Sequence, residues 1–182
     1  MSAPLPQSLD PWRAALTGAA FVGSVTLAEL PRLAGAVIGV EGPACFDLRF
    51  EQDAEGRAVV LGRVTLMARL ICQRCLGDSS YPLDVPIAWV LVRSDVDSDD
   101  LGLAEVPGIP DHLEPLPVVG DTPIHPLDLI EDELLLAIPL VPMHRAGECQ
   151  AEMPVNLAGA EIGEADTRQH PFAVLATLKS GG

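Results

Sequence analysis

The chain has 182 residues, of which 48% are hydrophobic, and its formal net charge at pH 7 is −15. This length predicts a single domain over residues 1–182 with a real hydrophobic core. No apolar run approaches the roughly 20 residues of a membrane span and no secretory signal is recognisable, so we expect a cytoplasmic protein. The acidic charge repels phosphate backbones, which makes basic proteins more natural partners than nucleic acid in general.

Alternating apolar residues predict strands in the first half of the chain. A short strand is expected over residues 21–27, before a turn or helical stub that Pro31 interrupts. Residues 44–51 alternate with period two, which is typical of a half-buried strand, and Cys45 falls on its polar side. The strongest pattern covers residues 58–75. One face of that strand carries Val64, Leu66, Ala68, Leu70 and Cys72.

The next run, residues 81–94, repeats the alternation and predicts an antiparallel hairpin with the long strand. Its prolines indicate an edge or an irregular start. The composition then changes, because residues 94–124 are rich in acids, proline and glycine but have little periodicity. We therefore expect a long acidic loop over residues 94–124.

The spacing of apolar residues predicts a central amphipathic helix over residues 127–138, with Pro126 at its first position and Pro139 at its end. Asp128, Glu131 and Asp132 are expected to face away from the core, and Glu133 lies closest to the apolar stripe. Residues 146–169 are interpreted as a polar linker. Residues 170–182, which begin His-Pro-Phe, predict a short C-terminal helix and tail.

These elements together predict an α+β fold. A twisted antiparallel sheet of about four to six strands, or a partial barrel, is packed by the central helix and closed by the short C-terminal helix. The long acidic loop separates the predicted strands from the central helix.

Four cysteines raise the question of metal binding. In a cytoplasmic protein they stay reduced, which favours metal binding or burial over a disulfide. Cys72 and Cys75 form a C-x-x-C pair, and His144 and Cys149 offer two further ligands for a tetrahedral zinc ion. Two other interpretations stay open: Cys72 is simply a buried thiol, or the pair is a redox couple, although such couples typically occupy a helix start.

Arg63, Arg69 and Arg74 lie on or beside the polar face of the long strand. They form a candidate patch for an RNA phosphate or an acidic partner. The alternative is that they are cross-strand partners of carboxylates such as Asp47 and Glu51.

The sequence offers little that indicates catalysis. Glu131, Asp132 and Glu133 are consecutive, so a helix points them in different directions and does not pair them as acid and base. No nucleophile motif and no glycine-rich phosphate loop is present. We therefore expect a protein that is not an enzyme.

Three ordered blocks resemble one protein family. They are CQRCL after a long strand, IEDELLLAIPLVPMH followed by a cysteine, and a terminal HPFAVLATLK. In this order they are similar to the YceD family, the large ribosomal RNA subunit accumulation proteins. The family usually has asparagine where this chain has His170. The residues in the matched blocks are Cys72, Gln73, Cys75, Glu131, Asp132, Glu133, Pro139, Pro142, His144, Cys149, Pro171 and Phe172.

The resemblance implies a bacterial, non-enzymatic ribosome biogenesis factor that supports synthesis, processing or stability of 23S rRNA during large-subunit assembly. The resemblance fixes no cofactor, although some relatives carry a fuller cysteine set that looks metal-binding; zinc is the candidate. The implied partners are large-subunit rRNA, contacted directly or indirectly, and a basic large-subunit ribosomal protein; no membrane or small-molecule substrate is implied. The charge favours holding the basic protein over direct RNA binding. A thiol-based metal-binding or redox protein is the alternative from another class.

Overall fold

The computed structural model describes residues 5–94, 108–145 and 147–149. These residues belong to one compact unit, Met1–Cys149. The predicted linker, apart from residues 147–149, and the predicted C-terminal helix with Pro171 and Phe172 lie outside the described residues, and a single domain over the whole chain stays a prediction. In chain order the elements are α1 (Pro11–Thr17), β1 (Ala20–Val25), a 3₁₀ turn (Leu27–Glu29), α2 (Pro31–Ala36), β2 (Gly39–Val40), β3 (Ala44–Gln52), β4 (Ala58–Ile71), β5 (Asp78–Ser94), β6 (Glu114–Val119) and α3 (Pro126–Leu136).

The described strands form one open, six-stranded sheet, and three α-helices accompany it. The strand order is β1-β3-β4-β5-β6, and the short β2 pairs with β4 beyond the end of β3. All pairs are antiparallel except β5 and β6, which are parallel. The predicted α+β class with a twisted sheet is confirmed, and the parallel last strand is a feature that the sequence did not predict.

The long β4–β5 hairpin is the centre of the sheet. Its register runs from Val59 opposite Val90 to Ile71 opposite Asp78. The predicted alternation is present, because Val64, Leu66, Ala68 and Leu70 are all buried. On β3, Phe46, Leu48 and Phe50 are buried in the same core, and Cys45 between the strand's apolar residues is exposed.

Prolines occur in β5 only where the strand has one paired edge among the described residues. Pro82 and Pro86 lie opposite β4, whereas β6 pairs with Trp89–Ser94. Proline lacks an N–H donor, so it is tolerated where the second edge makes no ladder. This agrees with the edge position that the prolines indicate in the sequence.

The acidic segment contains a strand. Residues 114–119, which the sequence places in the acidic loop, form β6 beside the end of β5, and residues 95–107 lie outside the described part. Just before β6, Leu113 packs with Val59 and Val90 in a small second cluster away from the main core. Local periodicity is too short here to reveal a strand that contains two prolines.

Two of the three helices differ from expectation. Helix α1 is absent from the sequence prediction; Asp10 caps it by accepting hydrogen bonds from the backbone N–H groups of Trp12 and Arg13, each at 3.0 Å. The expected stub is present as the 3₁₀ turn Leu27–Glu29, which ends before Pro31. Helix α2 was not predicted; Pro31 begins it at the position where a missing N–H costs nothing. Helix α3 begins at Pro126 as predicted, and its Ile130 and Leu134 are fully buried.

No helix in the described ranges is long and apolar enough to cross a membrane.

Candidate functional site

The C-x-x-C pair lies in a tight turn between β4 and β5. The backbone N–H of Cys72 donates to Gly77 O at 2.8 Å, and that of Leu76 donates to Cys72 O at 2.8 Å. Leu76 has a φ of 58°, an uncommon conformation for a residue other than glycine. A Cβ atom at Gly77 would lie 3.4 Å from Cys75 Sγ, so a small residue suits this position. The turn therefore holds both thiols on a fixed backbone.

A second, distant segment crosses this turn. The N–H of Gln73 donates to Pro142 O at 2.8 Å, and the Tyr81 hydroxyl donates to Met143 O. Pro142 is buried, so this chain segment is anchored rather than loosely attached. These contacts place His144 beside the turn, where its backbone N–H lies 3.5 Å from Cys72 Sγ.

Four possible metal ligands meet at this crossing. The ligand atoms of Cys72, Cys75, His144 and Cys149 all lie within 4.8 Å of one another. Cys72 Sγ is 4.0 Å from Cys149 Sγ, and Cys75 Sγ is 3.3 Å from His144 Nδ1. Tetrahedral zinc with ordinary bond lengths separates two sulfurs by about 3.8 Å and a sulfur from a nitrogen by about 3.5 Å. The donor set and its spacing therefore fit zinc.

The orientation of the His144 ring supports the same conclusion. Its Nε2 lies 2.9 Å from Asp78 O, a carbonyl that can only accept a hydrogen bond. Nε2 must therefore carry the proton, which leaves the lone pair of a neutral ring on Nδ1, facing the thiols. Histidine ligands of metals are commonly fixed by such a hydrogen bond from the second nitrogen.

The thiols of this cluster are unevenly ionised. Burial opposes ionisation of Cys72, but hydrogen bonds from the backbone N–H groups of Cys75, His144 and Arg74 outweigh burial and lower its pKa to about 5. A backbone hydrogen bond from Gly77 favours the Cys75 thiolate, yet burial and the neighbouring Cys149 and Cys72 thiols raise its pKa above the usual value. Three thiolates this close repel one another, and a bound cation removes that repulsion.

One histidine and one arginine lie beside the thiols, and the thiols raise the pKa of both side chains. Hydrogen bonding to the Cys72 thiolate and to the Asp78 backbone raises the pKa of His144. Interaction with Cys149 raises the pKa of Arg74. Arg74 is exposed, but the nearby Cys149 thiol balances part of its charge.

The other two arginines of the predicted patch are paired across the sheet. Arg63 Nη1 lies 2.8 Å from Asp84 Oδ2, and Arg69 Nε lies 2.9 Å from Asp78 Oδ2. Both carboxylates are on β5, whereas Asp47, the partner considered from the sequence, pairs with Arg49 at 3.1 Å. The sheet thus presents arginines whose charge is largely matched by neighbouring acids.

The prediction that Glu131 faces away from the core is wrong. Glu131 is only 3% exposed, and its carboxylate bridges α3 to the start of α2. It accepts hydrogen bonds from Arg32 N at 2.7 Å, Leu33 N at 3.0 Å and Arg32 Nε at 2.8 Å. Burial acts to raise its pKa, but these donors outweigh burial and lower it below the usual value.

The neighbouring acids have different environments. Asp132 is half exposed and pairs with Arg32 Nη1 at 2.5 Å. Glu133 is partly buried, and burial together with the nearby Glu114 carboxylate raises its pKa. The sequence singled out Glu133, but the acid with the dense hydrogen bonding is Glu131. Arg32 was missed altogether because nothing in its local sequence indicates a partner 99 residues away.

The fold and the site together define an α+β protein with an open mixed sheet and a Cys₃His cluster at one end of its central hairpin. Residues 60–179 match the family described as large ribosomal RNA subunit accumulation protein YceD. A relative with that name from Haemophilus influenzae is 33% identical over 175 residues, which cover 96% of this chain and 96% of the relative. The chain belongs to the YceD family, which confirms the resemblance found in the sequence. No solved structure matches it.

Proposed function

We propose that this protein is a cytoplasmic, non-enzymatic factor in biogenesis of the large ribosomal subunit, which supports synthesis, processing or stability of 23S rRNA. The observation that carries the proposal is the similarity to a large ribosomal RNA subunit accumulation protein over 96% of both chains. Similarity over almost the whole length of both chains favours a shared role over reuse of one motif.

The arrangement of ionisable groups supports a non-enzymatic role. The carboxylate of Glu131 already accepts hydrogen bonds from backbone and side-chain donors, which leaves it poorly suited to proton transfer with a substrate. The Cys/His set offers four protein ligands, which is the donor number of a closed structural zinc site rather than of a catalytic site with an open position.

We propose that Cys72, Cys75, His144 and Cys149 bind a zinc ion. When bound, zinc joins the β4–β5 turn to the segment that follows α3. Two backbone hydrogen bonds, Cys72 N–H to Gly77 O and Leu76 N–H to Cys72 O, fix the turn that carries both thiols. The hydrogen bond to Asp78 O orients the His144 ring. Arg74 balances the negative charge of the thiolates.

The charge distribution favours a basic ribosomal protein as the direct partner, with rRNA affected indirectly. Arg63 and Arg69 are each paired with an aspartate, so the sheet offers phosphate groups little net positive charge. Residues 94–144 contain neither lysine nor arginine, and the whole chain carries a charge of −15. Such a surface attracts lysine- and arginine-rich chains.

A pull-down from growing cells tests this proposal. Tagged protein is recovered in RNase-treated and untreated halves, and both are examined by RNA sequencing and mass spectrometry. We expect one basic large-subunit protein to survive RNase. Loss of every ribosomal protein on RNase treatment, with recovery of large-subunit rRNA in the untreated half, would instead assign direct RNA contact. Recovery of neither would contradict a role in assembly.

The arginines can be tested in the same assay. Arg63→Gln with Arg69→Gln removes the two paired guanidinium groups of the predicted patch, and Arg49→Gln, on β3 and also paired with an aspartate, is the matched control. Under our proposal all variants recover rRNA and protein as the wild type does. A selective loss of rRNA with the double variant would restore the RNA-binding hypothesis.

A thiol-based redox role is the second candidate, and the low pKa of Cys72, about 5, is the observation that favours it. Thiol titration of the protein purified without reductant, with zinc measured on the same sample, separates the two. One zinc per chain with reduced thiols supports the structural site. An oxidised Cys72–Cys75 pair without zinc supports the redox role.

A further inference from the structure

Exposed apolar side chains are concentrated in two short segments. Of the ten large hydrophobic residues exposed in the described part of the chain, six lie within residues 71–76 and 136–143. They are Ile71, Leu76, Leu136, Leu140, Val141 and Met143, and we call them the apolar patch. Leu140 is fully exposed, and Leu136 and Leu76 are 80% and 75% exposed. Scattered surface leucines need no explanation, but a cluster of this kind marks an interaction site.

Hydrogen bonds bring the two segments together at residues 73–75 and 142–144. Gln73 N donates to Pro142 O at 2.8 Å, and Cys75 Sγ lies 3.3 Å from His144 Nδ1. Val141 and Met143 lie on either side of Pro142, which is hydrogen-bonded to the turn. Leu76 lies next to Cys75, which contacts His144. Pro142 is buried, whereas Val141 and Met143 on either side of it are both exposed.

The charges near the patch differ between its two ends. On α3, Asp128 and Asp132 precede Leu136 at intervals of four residues and so lie on the same side of the helix. Asp128 is exposed, and Asp132 shares its charge with Arg32. At the turn end, Arg74 lies beside the thiols, and Arg145 is exposed together with one acid, Glu148. The α3 end is thus the acidic end.

We infer that the apolar patch is the docking surface for a segment of a basic protein whose aliphatic side chains cover Leu136, Leu140 and Val141 and whose lysines or arginines lie against Asp128. This inference rests on the proposed function and names its binding surface. Aliphatic residues with methionine suit protein contacts that adapt to a partner. Single-stranded RNA is held mainly by aromatic stacking and positive charge, and none of the six patch residues is aromatic.

The test uses the full-length protein, immobilised, and as probe the proteins extracted from purified, RNase-treated large ribosomal subunits. The patch variant is Leu140→Ser with Val141→Ser. The matched control is Leu16→Ser with Val119→Ser, which removes two exposed apolar residues of α1 and β6 outside the patch. The wild type and the control should retain the same basic protein, and the patch variant should retain at least about tenfold less, a change of about 1.4 kcal/mol in binding free energy.

Each contrary result has a distinct meaning. Equal retention by the patch variant and the wild type overturns the docking surface and leaves the proposed function intact. Retention of no basic protein by the wild type contradicts the proposed partner and the docking surface together. A melting temperature several degrees lower for the patch variant than for the control shows that the protein itself covers these side chains, which also overturns the inference.

The charge contribution is tested separately. Asp128→Asn should weaken retention about threefold at low salt and have little effect at 1 M salt, where screening extends to about 3 Å. Glu55→Asn, on the turn between β3 and β4, controls for net charge. Equal effects of the two substitutions would show that total charge, and not the α3 end of the patch, attracts the probe.

Discussion

Two groups of ionisable side chains connect distant parts of this protein. They differ in how completely their charges and hydrogen-bonding atoms are matched by partners within the protein. Glu131 joins α3 to α2, and its carboxylate receives three hydrogen bonds from Arg32 and Leu33. The Cys/His cluster brings the β4–β5 turn together with His144 and Cys149, but it places three thiols within 4.8 Å of one another and of a histidine. The first group needs no further ligand, whereas the second is electrostatically unfavourable once its thiols ionise.

This difference is the one expected between a structural residue and a proposed metal site. A buried carboxylate with a full set of donors stabilises the fold by itself. A cluster of ionisable thiols gains stability from a cation that neutralises them. We therefore expect metal to stabilise the second region and not the first, and the two regions to differ in their response to pH.

The largest effect should come from zinc. At free zinc about a thousandfold above the dissociation constant, binding to the folded state alone adds about 4 kcal/mol to the free energy of unfolding. Thermal unfolding with zinc and with a chelator measures this difference. Cys72→Ser should abolish it, and Cys45→Ser, which replaces the exposed cysteine outside the cluster, should preserve it. An equal zinc response in both variants would show that zinc binds somewhere other than this cluster.

Loss of the Glu131 side chain should have the next largest effect. Glu131→Ala leaves two backbone N–H groups and one guanidinium without their acceptor and should lower the free energy of unfolding by about 3 kcal/mol. Asp132→Ala removes a half-exposed partner of the same arginine and should cost less than about 1 kcal/mol. Urea unfolding of both variants checks the difference, and equal losses would contradict the bridging role of Glu131.

The pH dependence of stability sharpens the same comparison. The folded-state pKa of Glu131 is lowered from 4.5, mainly because the Leu33 and Arg32 donors outweigh burial. Its contribution is therefore complete above 4.5 and is lost as the pH falls through the lower folded-state value. Wild-type stability should decline over this acidic range more steeply than that of Glu131→Gln, as measured by urea unfolding at several pH values. Parallel curves would show that other carboxylates account for the decline.

The sequence predicted the parts of the molecule that repeat a pattern along one segment. Alternation placed the buried faces of β3 and β4, and the turn cysteines stand at the end of that alternation. Glu131 shows where the method fails, because its position on a helical wheel indicates solvent while its burial depends on Arg32, 99 residues earlier. β6 was missed for the same reason: its own sequence has no strand pattern, and it is a strand because it pairs with β5, its only described partner.

The smallest effect should come from the paired arginines on the sheet, and its size decides how they are interpreted. Arg63 and Asp84 are both more than half exposed, so Arg63→Gln should change the free energy of unfolding by less than about 1 kcal/mol, as measured in urea. Zinc content should not change, because Arg63 lies outside the cluster. A larger loss would mean that the cross-strand pair is structural. Unchanged stability with a loss of rRNA recovery would mean that Arg63 leaves Asp84 to bind phosphate. The acidic charge of the chain would then restrict non-specific RNA binding, and rRNA would be contacted directly.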